Sequence, residues 1–177
     1  QWQNIRRQDP HEVEVIAQVL ASDRGRQKHI VQVDFPWAFK NRFRVTTMFA
    51  YDRDVSIRYF GIGNKTPFSQ AALDTNDPIY QNVREGPTLA LSWMYYFTRQ
   101  IRGGPVLSMK WTKISYPTGS LLDQQQPMGV LGGRSHSAGL ALIYDTLDFE
   151  PYPSRGVYHE IFFNLYDLGK IPFFQFR

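Results

Sequence analysis

A chain of 177 residues suits one domain, here 1–177 with residues 1–8 as an extended arm, and needs no covalent staple. The lack of cysteine excludes disulfides and cysteine-ligated zinc. A net charge of +4 and a pI near 9.4 favour contact with phosphate or an acidic surface without specifying one.

Aromatic residues make up 15% of the chain, with 13 Phe and 10 Tyr, a bias that suits strands first and binding surfaces second. No apolar run approaches the ~20 residues of a membrane helix, so a soluble protein without a membrane span is expected. The start, Gln1 to Arg7, lacks the apolar core of a signal peptide. The chain does not begin with Met, as in a fragment or a processed product.

The first predicted element is a helix. Asp9-Pro10-His11-Glu12 supplies a cap, a proline at the first position and a glutamate at the third. Val13, Ile16, Ala17 and Leu20 follow at helical spacing, and Gly25 stops the run. The same stretch also places Val13, Val15, Ala17 and Val19 on one face of a strand, but the cap chemistry favours the helix.

Strands are predicted next. Ile30–Phe35 is closed by Pro36, and Phe43–Tyr51 with Val55–Ile62 make a hairpin across Asp52-Arg53-Asp54. Gly61–Val83 is a long loop with a helical turn near Ser69–Leu73. Thr88–Ile101 and Val106–Ile114 form a hairpin turning at Arg102-Gly103-Gly104-Pro105. Tyr116–Gly133 is a loop, and Leu140–Tyr144 is a strand or short helix. Val157–Tyr166 and Ile171–Phe176 close the chain as a hairpin turning at Asp167-Leu168-Gly169-Lys170. About nine antiparallel strands with one short N-terminal helix point to a mostly β domain: a sandwich, jelly roll or barrel, with the sandwich or jelly roll preferred.

The string Gly132 to Leu142 contains His136-Ser137-Ala138-Gly139 and resembles the nucleophile turn of α/β-hydrolases. That resemblance implies Ser137 as nucleophile, Asp145 or Asp148 as acid and His159 as base. Ser135 replaces the first glycine of the pattern. Ser137, Asp148 and His159 also stand too close in sequence for strand–helix units of about 30 residues. A Ser137–His136 pair on a β scaffold is the alternative hydrolytic arrangement. The histidines, His11, His29, His136 and His159, lack metal-ligand spacing, and neither a metal nor a cofactor is expected.

Basic residues cluster at Arg6-Arg7 and at Lys40, Arg42 and Arg44, the latter interleaved with Phe35, Trp37, Phe39 and Phe43. This pattern fits RNA or single-stranded DNA, or equally a solvated strand edge. Trp93-Met94-Tyr95-Tyr96-Phe97 places rings on both faces of one strand, as a strand covered from both sides requires. Trp37, Phe39, Trp93, Tyr95, Tyr96 and Trp111 are the interface or ligand candidates. The leading expectation is a non-enzymatic assembly protein with a viral-capsid-like sandwich. Its partners would be copies of itself or sister subunits, and its place a virion surface or shell. A carbohydrate-binding sandwich and a serine hydrolase are the alternatives.

Overall fold

A computed structural model describes residues 13–63, 66, 68–75, 77–149 and 152–166. Seven strands run through it: β1 (Glu14–Ala21), β2 (Gln27–Trp37), β3 (Phe43–Arg58), β4 (Gln81–Tyr96), β5 (Ile101–Ser115), β6 (Gly132–Asp145) and β7 (Tyr158–Tyr166). They form one sheet whose spatial order follows the chain, and each neighbouring pair is antiparallel. The β-rich expectation holds. Among the described residues there are seven strands rather than about nine, with no second sheet to complete a sandwich and no crossover of the jelly-roll kind.

The connections carry three short helical segments, α1 (Ala38–Asn41), α2 (Gln70–Asp74) and α3 (Leu121–Gln125), and a 3-10 turn at Pro78–Tyr80. α1 is in effect a tight left-handed turn, with φ of 52°, 61° and 61° at Phe39, Lys40 and Asn41.

Four expectations require correction. The segment 14–21 is a strand, paired from Glu14 with Asp34 to Ala21 with Gln27. The valines and Ile16 are stiff side chains that pack well on a pleated surface, and β2 supplies a partner for every residue of β1, so the local helical signal loses to the ladder. Gly25 marks the turn between these strands, with φ of 83° and its N–H bonded to the Ser22 carbonyl. The proposed cap, residues 9–12, lies outside the described residues.

Asp52-Arg53-Asp54 is no turn. β3 runs straight through it, because β4 is long enough to pair with both halves, and only a register shift between Asp54 and Ile57 marks the place. The β4–β5 hairpin exists but turns at Phe97–Gln100, where the Thr98 hydroxyl accepts from the Gln100 and Ile101 N–H groups. Gly104 lies inside β5, where a Cβ would collide with the Trp93 carbonyl oxygen. The 132–139 segment, read as the end of a loop and a nucleophile-like turn, instead opens β6 as extended strand. The second arm of the last predicted hairpin, 171–176, lies outside the described residues.

Directly opposed residues in a ladder share a face, so the registers divide the sheet into two sides. One is apolar: Val31, Val33 and Phe35 from β2; Val45 and Phe49 from β3; Leu89, Leu91, Trp93 and Tyr95 from β4; Leu107 and Met109 from β5; Ala138, Leu140 and Leu142 from β6; Ile161, Phe163 and Leu165 from β7. The other is polar and small, with Gln32, Asp34, Arg44, Thr46, Thr88, Ser92, Ser108, Lys110, Ser135, Ser137 and Asn164.

A separate apolar cluster sits in the connections at one end of the sheet. Phe60, Phe68 and the buried Tyr80 pack together. Buried Leu121 and Leu122 belong to the neighbouring loop, which Tyr59 ties down by donating to Gln125 Oε1 at 2.8 Å.

Candidate functional site

Burial on the sheet is inverted. The buried strand residues include Asp34, Met94, Arg102, Ala141, Ile143 and Asp145, all on the polar side. On the apolar side Phe49 is 51% exposed, Trp93 41%, Leu140 61% and Phe163 64%. Polar-face apolar residues that are also exposed, such as Ile16, Leu20 and Phe162, belong to the two edge strands.

Burying one large apolar side chain is worth about 1.5–3 kcal/mol. Leaving a dozen of them in water forgoes on the order of 20 kcal/mol, more than the whole stability of an ordinary domain, about 5–15 kcal/mol. Monomers rarely expose contiguous apolar patches of this kind unless something covers them. The apolar side of this sheet is therefore the surface with a function to explain.

Charge and rings bound the apolar band. At the end near the long loops, Arg53, Glu85 and Lys113 stand side by side on β3, β4 and β5, with contacts to Glu85 of 3.5 and 3.8 Å. Next to that row lie His29 and Tyr51, stacked at 6.2 Å, and Trp111, edge-on to His136 at 5.7 Å. At the other end, Phe39 lies parallel to Trp93 at 5.6 Å, and Phe43 meets both edge-on. Tyr95 contacts Phe43 and Phe97, each at 5.3 Å.

The polar side holds two ionic clusters. Arg44 grips Asp34 with two N–H groups at 3.1 and 2.8 Å, and the Thr46 hydroxyl donates to the same carboxylate at 2.6 Å. Arg102 pairs with Asp145 at 2.9 Å and lies over the Tyr96 ring at 6.0 Å. Tyr96 in turn stacks on Trp37 at 4.9 Å.

Of the interface candidates, Phe39, Trp93 and Tyr95 meet in the ring cluster, and Trp111 stands on the same face at the opposite end. Trp37 and Tyr96 belong with Arg102 on the polar side. The basic run does not form one strip: Lys40 and Arg42 are exposed, whereas Arg44 is committed to Asp34. Arg6 and Arg7 lie outside the described residues.

The hydrolytic candidates are not brought together. His136 and Ser137 are consecutive in β6 and so point to opposite faces, Ser137 to the polar and His136 to the apolar. His159 stands on the apolar face of β7, stacked on Tyr144 at 6.4 Å. Asp145 is held by Arg102, and Asp148 lies in the β6–β7 loop.

Asp148 organises that loop. Its carboxylate accepts from the Ser154 hydroxyl at 2.5 Å and from the N–H groups of Phe149, Ser154 and Arg155. The Ser154 hydroxyl above all, and then the Arg155 N–H, hold its pKa down at about 2.

No local motif marks Asp34, Thr46 or Arg102 as a site member, and Asp145 stands out only as a candidate acid beside Ser137, not as the partner of Arg102. The signal that finds them is two-sided alternation continued over neighbouring strands, with charge on the side that also carries Gly, Ser and Thr. Comparison with protein-family models, curated proteins and solved structures finds no match for this chain.

Proposed function

We propose that the chain forms part of the wall of a transmembrane β-barrel, its apolar face against lipid and its polar face lining an aqueous lumen. The inverted burial carries this reading. Barrel walls of the outer-membrane type are antiparallel meanders that alternate apolar-out and polar-in and are flanked by aromatic girdles. The stretches Phe43–Tyr51, Pro87–Tyr95 and Gly103–Trp111 each run about nine residues between the ring cluster and the opposite ring row, the length a tilted strand needs to cross the hydrocarbon core.

No helix among the described residues is long and apolar enough to cross a membrane, a fact that leaves strands open. Hydrocarbon tolerates no open sheet edge, so β1 and β7 require further strands beside them. Glycine supports curvature at Gly104, where β5 approaches the β4 backbone too closely for any side chain.

A second reading keeps the assembly function expected from composition. There the same face is covered by copies of the chain, in a shell or other oligomer, and exposed Trp93 and Tyr95 act as interface anchors.

The absence of cysteine makes one experiment clean. Single cysteines along β4 are spin-labelled and the chain is reconstituted in phosphatidylcholine vesicles. Labels at Leu89, Leu91 and Trp93 are expected to meet lipid-dissolved oxygen. Labels at Ala90 and Ser92 should instead meet a water-soluble nickel chelate. A pattern without period two, with every site in water, overturns the wall. Apolar-face sites shielded from both reagents, with closed particles forming in detergent-free buffer, select the assembly reading.

A further inference from the structure

We infer that the corner made by α1 and the facing ends of β3 and β4 binds the headgroup of an anionic phospholipid, an inference that rests on the barrel-wall reading. The first observation is backbone strain. Three consecutive non-glycine residues, Phe39, Lys40 and Asn41, adopt left-handed φ, and a bulky ring in that region is an outlier. Such strain persists where the surroundings hold it and gathers at functional sites.

The second observation is what the strained turn presents. It lays the Phe39 ring flat on Trp93 and against Phe43, at the rim of the apolar band. Amphipathic rings settle at the boundary between acyl chains and headgroups. Beside these rings Lys40 and Arg42 are exposed, and neither makes an ion pair among the described residues. Long basic side chains at this depth run their stems along apolar surface and lift their charge to phosphate.

The opposite rim differs. There Arg53 and Lys113 share Glu85, and Arg134 stands exposed on the same face opposite Trp111. What sets the α1 corner apart is two exposed cations on one strained turn that is backed by stacked rings.

The test compares partition of the full chain into vesicles of phosphatidylcholine alone and of phosphatidylcholine with phosphatidylglycerol. Wild type is expected to favour the anionic vesicles, and high salt to erase the preference. The double variant Lys40→Asn, Arg42→Gln should lower that preference roughly thirty-fold, from the usual worth of a basic residue near an anionic surface. Its entry into neutral vesicles should not change. Asn tolerates left-handed backbone, and the circular dichroism of the inserted protein reports whether the fold is kept. The far-rim variant Arg24→Gln, Arg26→Gln should behave as wild type. No preference in wild type, a preference surviving the double variant, or equal loss in the far-rim variant overturns the headgroup site. Entry into neutral vesicles without anionic preference removes only this inference, whereas failure to enter either vesicle removes the barrel wall and the site with it.

Discussion

Arg102 of β5 and Asp145 at the end of β6 form a 2.9 Å ion pair whose side chains are only 5% and 1% exposed. Two charges this buried on the polar face depend on each other. Removing one partner of a buried pair typically costs about 3–5 kcal/mol, because the other charge stays behind unpaired. Asp145→Asn is expected to destabilise by that amount, measured as urea unfolding of the detergent- or lipid-bound protein. A loss under about 1 kcal/mol would show that water reaches Arg102 freely.

Substitutions on adjacent residues of β5 separate the two faces. Leu107 lies mid-band on the apolar side and Ser108 beside it on the polar side. Against lipid, Leu107→Arg should cost about 2–4 kcal/mol, whereas Ser108→Arg in a lumen should cost little. Equal costs for the two variants in folding experiments with vesicles would contradict the assignment of faces.

The glycines test the packing of neighbouring backbones. A Cβ on Gly104 meets the Trp93 carbonyl oxygen, while one on Gly133 meets nothing within 4 Å. Gly104→Ala is expected to lose roughly 2 kcal/mol or more, since backbone must move. Gly133→Ala should be neutral or slightly stabilising, through reduced freedom of the unfolded chain. Paired denaturation curves decide this, and reversal of the order would discount the close approach of β4 and β5.

The β6–β7 loop has its own pH dependence. Asp148 titrates at about 2, below the ordinary 3.8, because its ionised form accepts the Ser154 and Arg155 hydrogen bonds. A carboxylate with a lowered pKa stabilises its surroundings fully above the ordinary value and loses that effect as pH falls through the lowered one. Protection of the Ser154 and Arg155 amides against hydrogen exchange should therefore be steady above about pH 4 and fall toward pH 2. Asp148→Asn should weaken that protection at neutral pH, and unchanged protection in the variant would remove Asp148 as the organiser.

Much of the sheet was legible one strand at a time. Ile30–Phe35, Val106–Ile114 and Val157–Tyr166 announce themselves by β-branched and aromatic residues in alternation. The errors fall where a residue has a local meaning and a different long-range one. Asp52-Arg53-Asp54 reads as a turn until β4 is found to pair along both sides of it. Gly103-Gly104 reads as a turn until the Trp93 carbonyl is found where a Cβ would go. Val13 to Leu20 carries both periods, and only the partner strand chooses between them.

The candidate site followed the same division. Phe39, Trp93 and Tyr95 were recognisable as rings in need of a partner, but their meeting at one rim depends on the turn at α1. Ser137 and His136 gave a chemical suggestion that a single extended backbone dissolves by sending them to opposite faces.

By itself the sequence determined that this chain makes antiparallel strands rich in rings, because alternation and β-branching act within a few residues. Which side of those strands faces outward was decided only by the tertiary structure. That outcome depends on six registers adding up across seven strands, and no short window of sequence contains them.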